Sequence, residues 1–170
     1  MTWTRSLEET VVVRAAATTV FAWLDEPRNT GFHMSRPSVA MLGGALHLER
    51  LSAQTTGVGA TYRSWGRVLG LPIDFTTTVT EWLPGREKTW RTVGEPRLIV
   101  LGDFQMRFSL ASRDGGTNVV MAIDYNVPTR GIGRLLAAVF AAPYVRWCLR
   151  RMVRDVCSAV DPSRTRESRP

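Results

Sequence analysis

The chain has 170 residues, 44% of them hydrophobic and 22% charged, which suits one folded domain with a single core and excludes both a second domain and a disordered chain. Its formal net charge of +7 gathers toward the C-terminus, where residues 130–170 carry nine arginines against Asp155, Asp161 and Glu167. Among its 22 basic residues only Lys88 is a lysine, a skew that a GC-rich genome produces, so arginine number alone argues weakly for a polyanionic partner.

Residues 1–10 include Arg5, Glu8 and Glu9 and no apolar run, so no secretory leader is expected and a cytoplasmic protein is. A strand is predicted over 7–14, with Leu7, Glu9, Val11 and Val13 on one face. The period then changes: Val20, Phe21 and Leu24 fall at helical spacing over 16–24, with Thr18 or Thr19 as cap, and Pro27 opens a second short helix near 28–33. Pro37, Gly43 and Gly44 punctuate the following stretch before a strand over 46–51.

Further strands are predicted over 60–68, 72–82, 87–93, 98–111 and 118–127, six or seven in all. Pro84-Gly85 closes one turn, and Asp114-Gly115-Gly116 is a strong hairpin signal. Residues 130–160 then read as one long helix, bent at Pro143, with Ile132, Leu135, Leu136, Val139, Phe140, Tyr144, Trp147, Met152, Val153, Val156 and Val160 at helical spacing. Its strongly apolar stretch, 135–145, is too short to span a bilayer, which takes roughly 20 residues. Cys148 and Cys157, nine apart on this helix, are expected to be free thiols in a reducing compartment. The domain is expected to cover 1–161, with 162–170 a disordered basic tail.

Alternation decides which side chains share a face of each strand. Phe104, Met106, Phe108 and Leu110 fall on one face of the 98–111 strand, opposite Gln105, Arg107 and Ser109. Val119, Met121, Ile123 and Tyr125 repeat the pattern on the next strand. The same parity turns Tyr62, Ser64, Phe75, Thr77 and Val79 inward, and Glu81 with them. One long helix is available to cover this apolar face, so it must lie across the sheet. Apolar walls with sparse polar groups describe a ligand pocket.

The order of strand, two short helices, antiparallel run and long C-terminal helix resembles the helix-grip proteins, the START-like or SRPBCC superfamily, over residues 7–160. Val11-Val12-Val13 leading into Thr19-Val20-Phe21-Ala22-Trp23-Leu24 resembles that superfamily's entry strand and first helix, with Pro27 opening the next. Val79-Thr80-Glu81-Trp82-Leu83-Pro84-Gly85-Arg86 with Trp90 resembles its central strand, turn and strand. Gly131-Ile132-Gly133-Arg134-Leu135-Leu136 through Arg150-Arg151-Met152 is similar to the closing helix of polyketide cyclase/dehydrase-like and lipid-transport members. The resemblance implies an α+β fold gripping a cavity for lipids, polyketides, hormones or aromatic compounds. Only some members turn over what they bind, so fold does not decide catalysis.

The expected ligand-binding set is Tyr62, Ser64, Phe75, Thr77, Val79, Trp90, Phe104, Met106, Phe108, Met121, Ile123, Tyr125, Leu136, Phe140 and Tyr144, serving a small hydrophobic or aromatic ligand. A cyclase or dehydratase is the alternative, with Glu81 or His33 as acid–base group and Tyr125 positioning the substrate. His33 and His47 stand fourteen apart with no partner at ligand spacing, so no metal is expected, and no cofactor is implied. Arg146, Arg150 and Arg154 recur every four residues, a solvated face balancing the helix dipole or, as a second alternative function, the surface of a peripheral module that docks on anionic membrane or on a partner. No aromatic interleaving or reading motif points to nucleic acid. Monomer and homodimer stay open.

Overall fold

The computed structural model describes residues 2–30, 46–68 and 70–161. β1 (Arg5–Val13) leads into α1 (Ala17–Asp25) and the one-turn α2 (Pro27–Thr30). β2 (Leu46–Arg50), β3 (Thr61–Val68), β4 (Leu71–Leu83), β5 (Glu87–Arg97), β6 (Phe104–Arg113) and β7 (Gly116–Tyr125) follow, and α3 (Gly131–Val160) closes the chain. The strands form one antiparallel sheet in the order β1-β7-β6-β5-β4-β3-β2. This is the α+β helix-grip architecture: a curved sheet, a long C-terminal helix and two short helices after the first strand. His33, the Pro37 and Gly43-Gly44 signals and the tail 162–170 lie outside the described residues.

Local chemistry sets the corners. Asp114 and Gly115 make a two-residue turn between the paired Arg113 and Gly116, and Gly115 takes a φ of 79°, which a side chain would oppose. Gly116 lies under the carbonyl oxygen of Val13, where a Cβ would overlap it. Where β1 turns into α1, Thr117 Oγ1 donates to the Ala15 carbonyl at 2.7 Å. The residue that caps α1 is Ala16, with no side-chain hydrogen bond, so Thr18 and Thr19 are helical residues and not caps.

Two irregularities in the β4–β5 ladder correct the alternation expected from sequence. Val79 pairs with Trp90 but Glu81 pairs with Thr89, so Thr80 is an extra residue, a β-bulge. The bulge reverses parity beyond it: Glu81 is exposed, and Trp82 packs against the core instead. The second shift lies between Asp74–Arg97 and Thr76–Val93, where Gly94 adopts a φ of 75° and Pro96 has no N–H to donate. β5 therefore pairs with β6 only over Glu87–Arg91, and Thr92 ends that ladder by accepting the Phe104 N–H at 3.1 Å on its hydroxyl. Residues 98–103, expected in a strand, form a connection, and β6 starts at Phe104.

α3 runs unbroken through Pro143. Its inner face is Ala137, Ala141, Val145, Leu149, Met152 and Val156, at helical spacings of four and three, packed with Val13, Val20, Leu24, Phe108, Val119 and Met121 into the main core. Each large aliphatic group buried there contributes about 1.5–3 kcal/mol. Ile132, Leu135 and Val139 do not share that face. They are exposed, because the alanines on the opposite side take the inward position. By length and composition this helix could cross a membrane, contrary to the reading of 135–145 alone, but its inner face belongs to the domain core.

Candidate functional site

Between the concave side of the sheet and α3 lies a cavity of about 490 Å³. Its floor is built from alternate residues of successive strands: Tyr62 and Ser64 of β3; Ile73, Phe75, Thr77 and Val79 of β4; Lys88 and Trp90 of β5; Phe104 and Met106 of β6; Ile123 of β7. Leu98, Ile99, Val100 and Leu101 of the β5–β6 connection add a wall, both parities together because the segment is not a strand. The roof is α3, through Leu136, Phe140, Pro143, Tyr144, Val145, Cys148, Leu149 and Met152, and Leu24, Pro27, Thr30, Leu46 and Leu48 border one end. The volume lies within the roughly 300–1,000 Å³ usual for small-molecule sites.

Twelve of the fifteen residues expected from sequence line this space; Phe108, Met121 and Tyr125 do not. These three are buried in solid core. Phe21 of α1 stacks edge-on against Phe108, with centroids 5.5 Å apart, and α1 packs over β6 and β7, so that end of the concave face is filled. Tyr125, paired with Phe104 at the opposite end of β7 and only 1% exposed, does not line the cavity and so is not placed to position a substrate there. Glu81 does not line it either: its Oε2 accepts the Thr89 hydroxyl at 3.0 Å on the outer side. His47 is exposed, stacked on Trp65, and does not line the cavity.

Sequence reasoning missed the most polar feature of the site. Lys88, the chain's single lysine, lines the cavity yet is 5% exposed. Its Nζ donates to Asp25 Oδ1 at 2.7 Å and to the Asp25 backbone carbonyl at 2.8 Å. Asp25 is the last residue of α1, where carbonyls lack helical partners and the helix dipole is negative, so an ammonium is favoured there. The Trp82 indole N–H reaches the same carboxylate oxygen at 3.2 Å, an arrangement made by the Thr80 bulge. Lys88 also lies 6.0 Å from the Trp90 ring centroid, within cation–π range. The signal was available: a lone lysine in an arginine-rich chain, two residues before the inward Trp90.

The remaining polar groups are muted. Burial raises the Tyr62 phenol above its ordinary pKa, with Asp25 and Glu26 adding to the effect against Arg50, and its hydroxyl donates to the Thr55 carbonyl at 2.7 Å. Tyr144 and Cys148, one turn apart on α3, hydrogen-bond to each other. Burial pushes the Cys148 thiol up to about 12 and the Tyr144 phenol well above 10, so both face the cavity uncharged. No group of three or more metal-ligating side chains occurs among the described residues.

The basic stripe on α3 points away from the cavity. Arg146, Arg150 and Arg154 are exposed, and Arg150 Nε lies 3.0 Å from Glu9 Oε1. No basic residue falls in the last turn of α3, so the stripe does not balance the dipole at that terminus as expected.

A family model described as polyketide cyclase / dehydrase and lipid transport matches residues 4–160. No curated protein is similar enough to count as a match. Among solved structures, the Zhui aromatase/cyclase from a Streptomyces species superposes with a TM-score of 0.62 at 20% identity, over 97% of this chain and 96% of that one. Ginseng major latex-like protein 151 from Panax ginseng gives 0.63 at 14% identity, over 95% and 100%. A protein from Chromobacterium violaceum gives 0.62 at 15%, over 92% and 97%. At these identities the three share the fold with this chain.

Proposed function

Because the chain belongs to the polyketide cyclase / dehydrase and lipid transport family, we propose that it binds and carries one small, mainly apolar molecule, lipid-like or aromatic, in the cavity beneath α3. The observation that carries this reading is the cavity itself: about 490 Å³ walled by aliphatic and aromatic side chains, with one buried ammonium. Lys88 has three N–H donors and Asp25 takes two, which leaves the third for an acceptor on a bound ligand. The favoured ligand is thus apolar with an oxygen at one end, its carbonyl or carboxylate against Lys88 and its body along Phe75, Trp90, Phe104 and Met106. In this reading the protein works in the cytoplasm, where Cys148 and Cys157 stay reduced.

A cyclase or dehydratase would need an acid–base group facing the substrate. Of the two groups expected from sequence, Glu81 is on the outer side and His33 lies outside the described residues. The titratable lining groups described are Tyr62, Lys88, Tyr144 and Cys148, and the phenols and thiol are held protonated by burial. That set suits holding a molecule better than moving its protons.

Native mass spectrometry of gently purified protein, followed by solvent extraction, tests the proposal. One retained apolar molecule per chain is expected, and stripped protein should take up N-phenyl-1-naphthylamine saturably. Protein that retains nothing and takes up no probe ends the proposal.

A further inference from the structure

The outer stripe of α3 changes chemistry halfway along. Ile132, Leu135, Val139, Pro143, Arg146, Arg150 and Arg154 follow one another at helical spacings of three and four, and all seven are exposed. The first half is apolar: Ile132, Leu135, Val139 and neighbouring Phe140 are 76%, 70%, 63% and 54% exposed. Because the inner face is apolar too, the N-terminal half of α3 is apolar around most of its circumference, with Arg134 its one charged residue, a larger apolar surface than a helix facing water on its outer side usually shows. Five arginines on the helix face the single acid Asp155.

We propose that this stripe docks the protein on an anionic lipid bilayer, with Ile132, Leu135 and Val139 entering the acyl boundary and Arg146 and Arg154 meeting the headgroups. Charge decides the occupant: a second copy would bring two chains of net charge +7 together through arginine-bearing helices, whereas anionic headgroups complement them. The geometry favours lipid too. Leu136, Phe140 and Pro143 line the cavity, and Phe140 is also exposed beside Val139, so the inserting patch borders the roof of the binding site. A ligand could then pass between bilayer and cavity without crossing open water.

Flotation of the full-length protein with phosphatidylcholine vesicles, with and without a third of phosphatidylglycerol, at low and high salt, tests this. Binding to the phosphatidylglycerol vesicles is expected, weakened by salt. Ile132→Asp with Val139→Asp should lower it by roughly tenfold or more, and Arg146→Gln with Arg154→Gln by roughly fivefold per charge. None of these four residues lines the cavity, so both variants should take up N-phenyl-1-naphthylamine like the wild type, which separates failure of docking from failure of the carrier reading. Wild type that stays off anionic vesicles overturns the proposal, as does an Ile132→Asp, Val139→Asp variant that floats undiminished. A wild-type dimer that this variant splits, with no vesicle binding, overturns it in favour of a second copy.

Discussion

Lys88 Nζ sits 2.7 Å from Asp25 Oδ1, joining the middle of the sheet to the last residue of α1 with both side chains almost wholly out of water. Desolvating two charges is costly, and the pair persists because the carboxylate also takes the Trp82 N–H while the ammonium also takes the Asp25 carbonyl. Removing one partner strands the other. Lys88→Met should lower unfolding free energy in urea by about 3–5 kcal/mol, and adding Asp25→Asn should recover part of it.

The same lysine bears on ligand choice. Wild-type protein should bind 2-naphthoate more tightly than naphthalene, and the Lys88→Met, Asp25→Asn double variant should lose that preference while still taking up naphthalene. Titration calorimetry reads both. Equal preference in the two proteins would show that Lys88 has no part in recognition. Glu81→Gln should leave both affinities unchanged, because that carboxylate is exposed and outside the cavity.

Cys148 should be a poor nucleophile despite lining a cavity. With its thiol pushed up to about 12 by burial, far less of it is thiolate at pH 8 than of an ordinary cysteine. Iodoacetamide should modify it slowly in the native state and quickly in urea, as peptide mapping would show. Linkage gives a sign as well. Between the ordinary thiol value near 8.5 and the folded value of about 12, the unfolded chain releases this proton and the folded chain keeps it. Folding stability should fall as pH rises through that window, and Cys148→Ala should flatten the fall.

Gly116 tests the sheet. A methyl group there overlaps the Val13 carbonyl oxygen, a backbone atom that moves only if the β1–β7 pairing shifts. Gly116→Ala should cost about 1–3 kcal/mol in thermal or urea unfolding. Unchanged stability would mean that the corner relaxes freely.

Much of this was legible in the chain, and the misses share a cause. Period-two alternation marked Tyr62 to Val79 and Phe104 to Ile123 as inward, since a strand has no freedom to do otherwise. Alternation says which face a residue takes and not what covers it, so Phe108 and Met121, sealed under α1, looked the same as Phe104 and Met106. A bulge inserts a residue without a sequence signature, so Thr80 silently turned Glu81 outward and Trp82 inward. On α3 the large residues drew attention while Ala137 and Ala141 took the buried positions. Lys88 was noted for rarity, but its partner lies 63 residues away and only the fold brings them together.

The cavity can be challenged by filling it. Ser64→Trp and Leu136→Trp each place an indole in the space between sheet and α3, and circular dichroism would confirm that both variants fold. Titrated with N-phenyl-1-naphthylamine, the wild type should show saturable binding at one site and both filled variants should lose it. If folded Ser64→Trp and Leu136→Trp proteins bind the probe as the wild type does, the ligand is not held beneath α3.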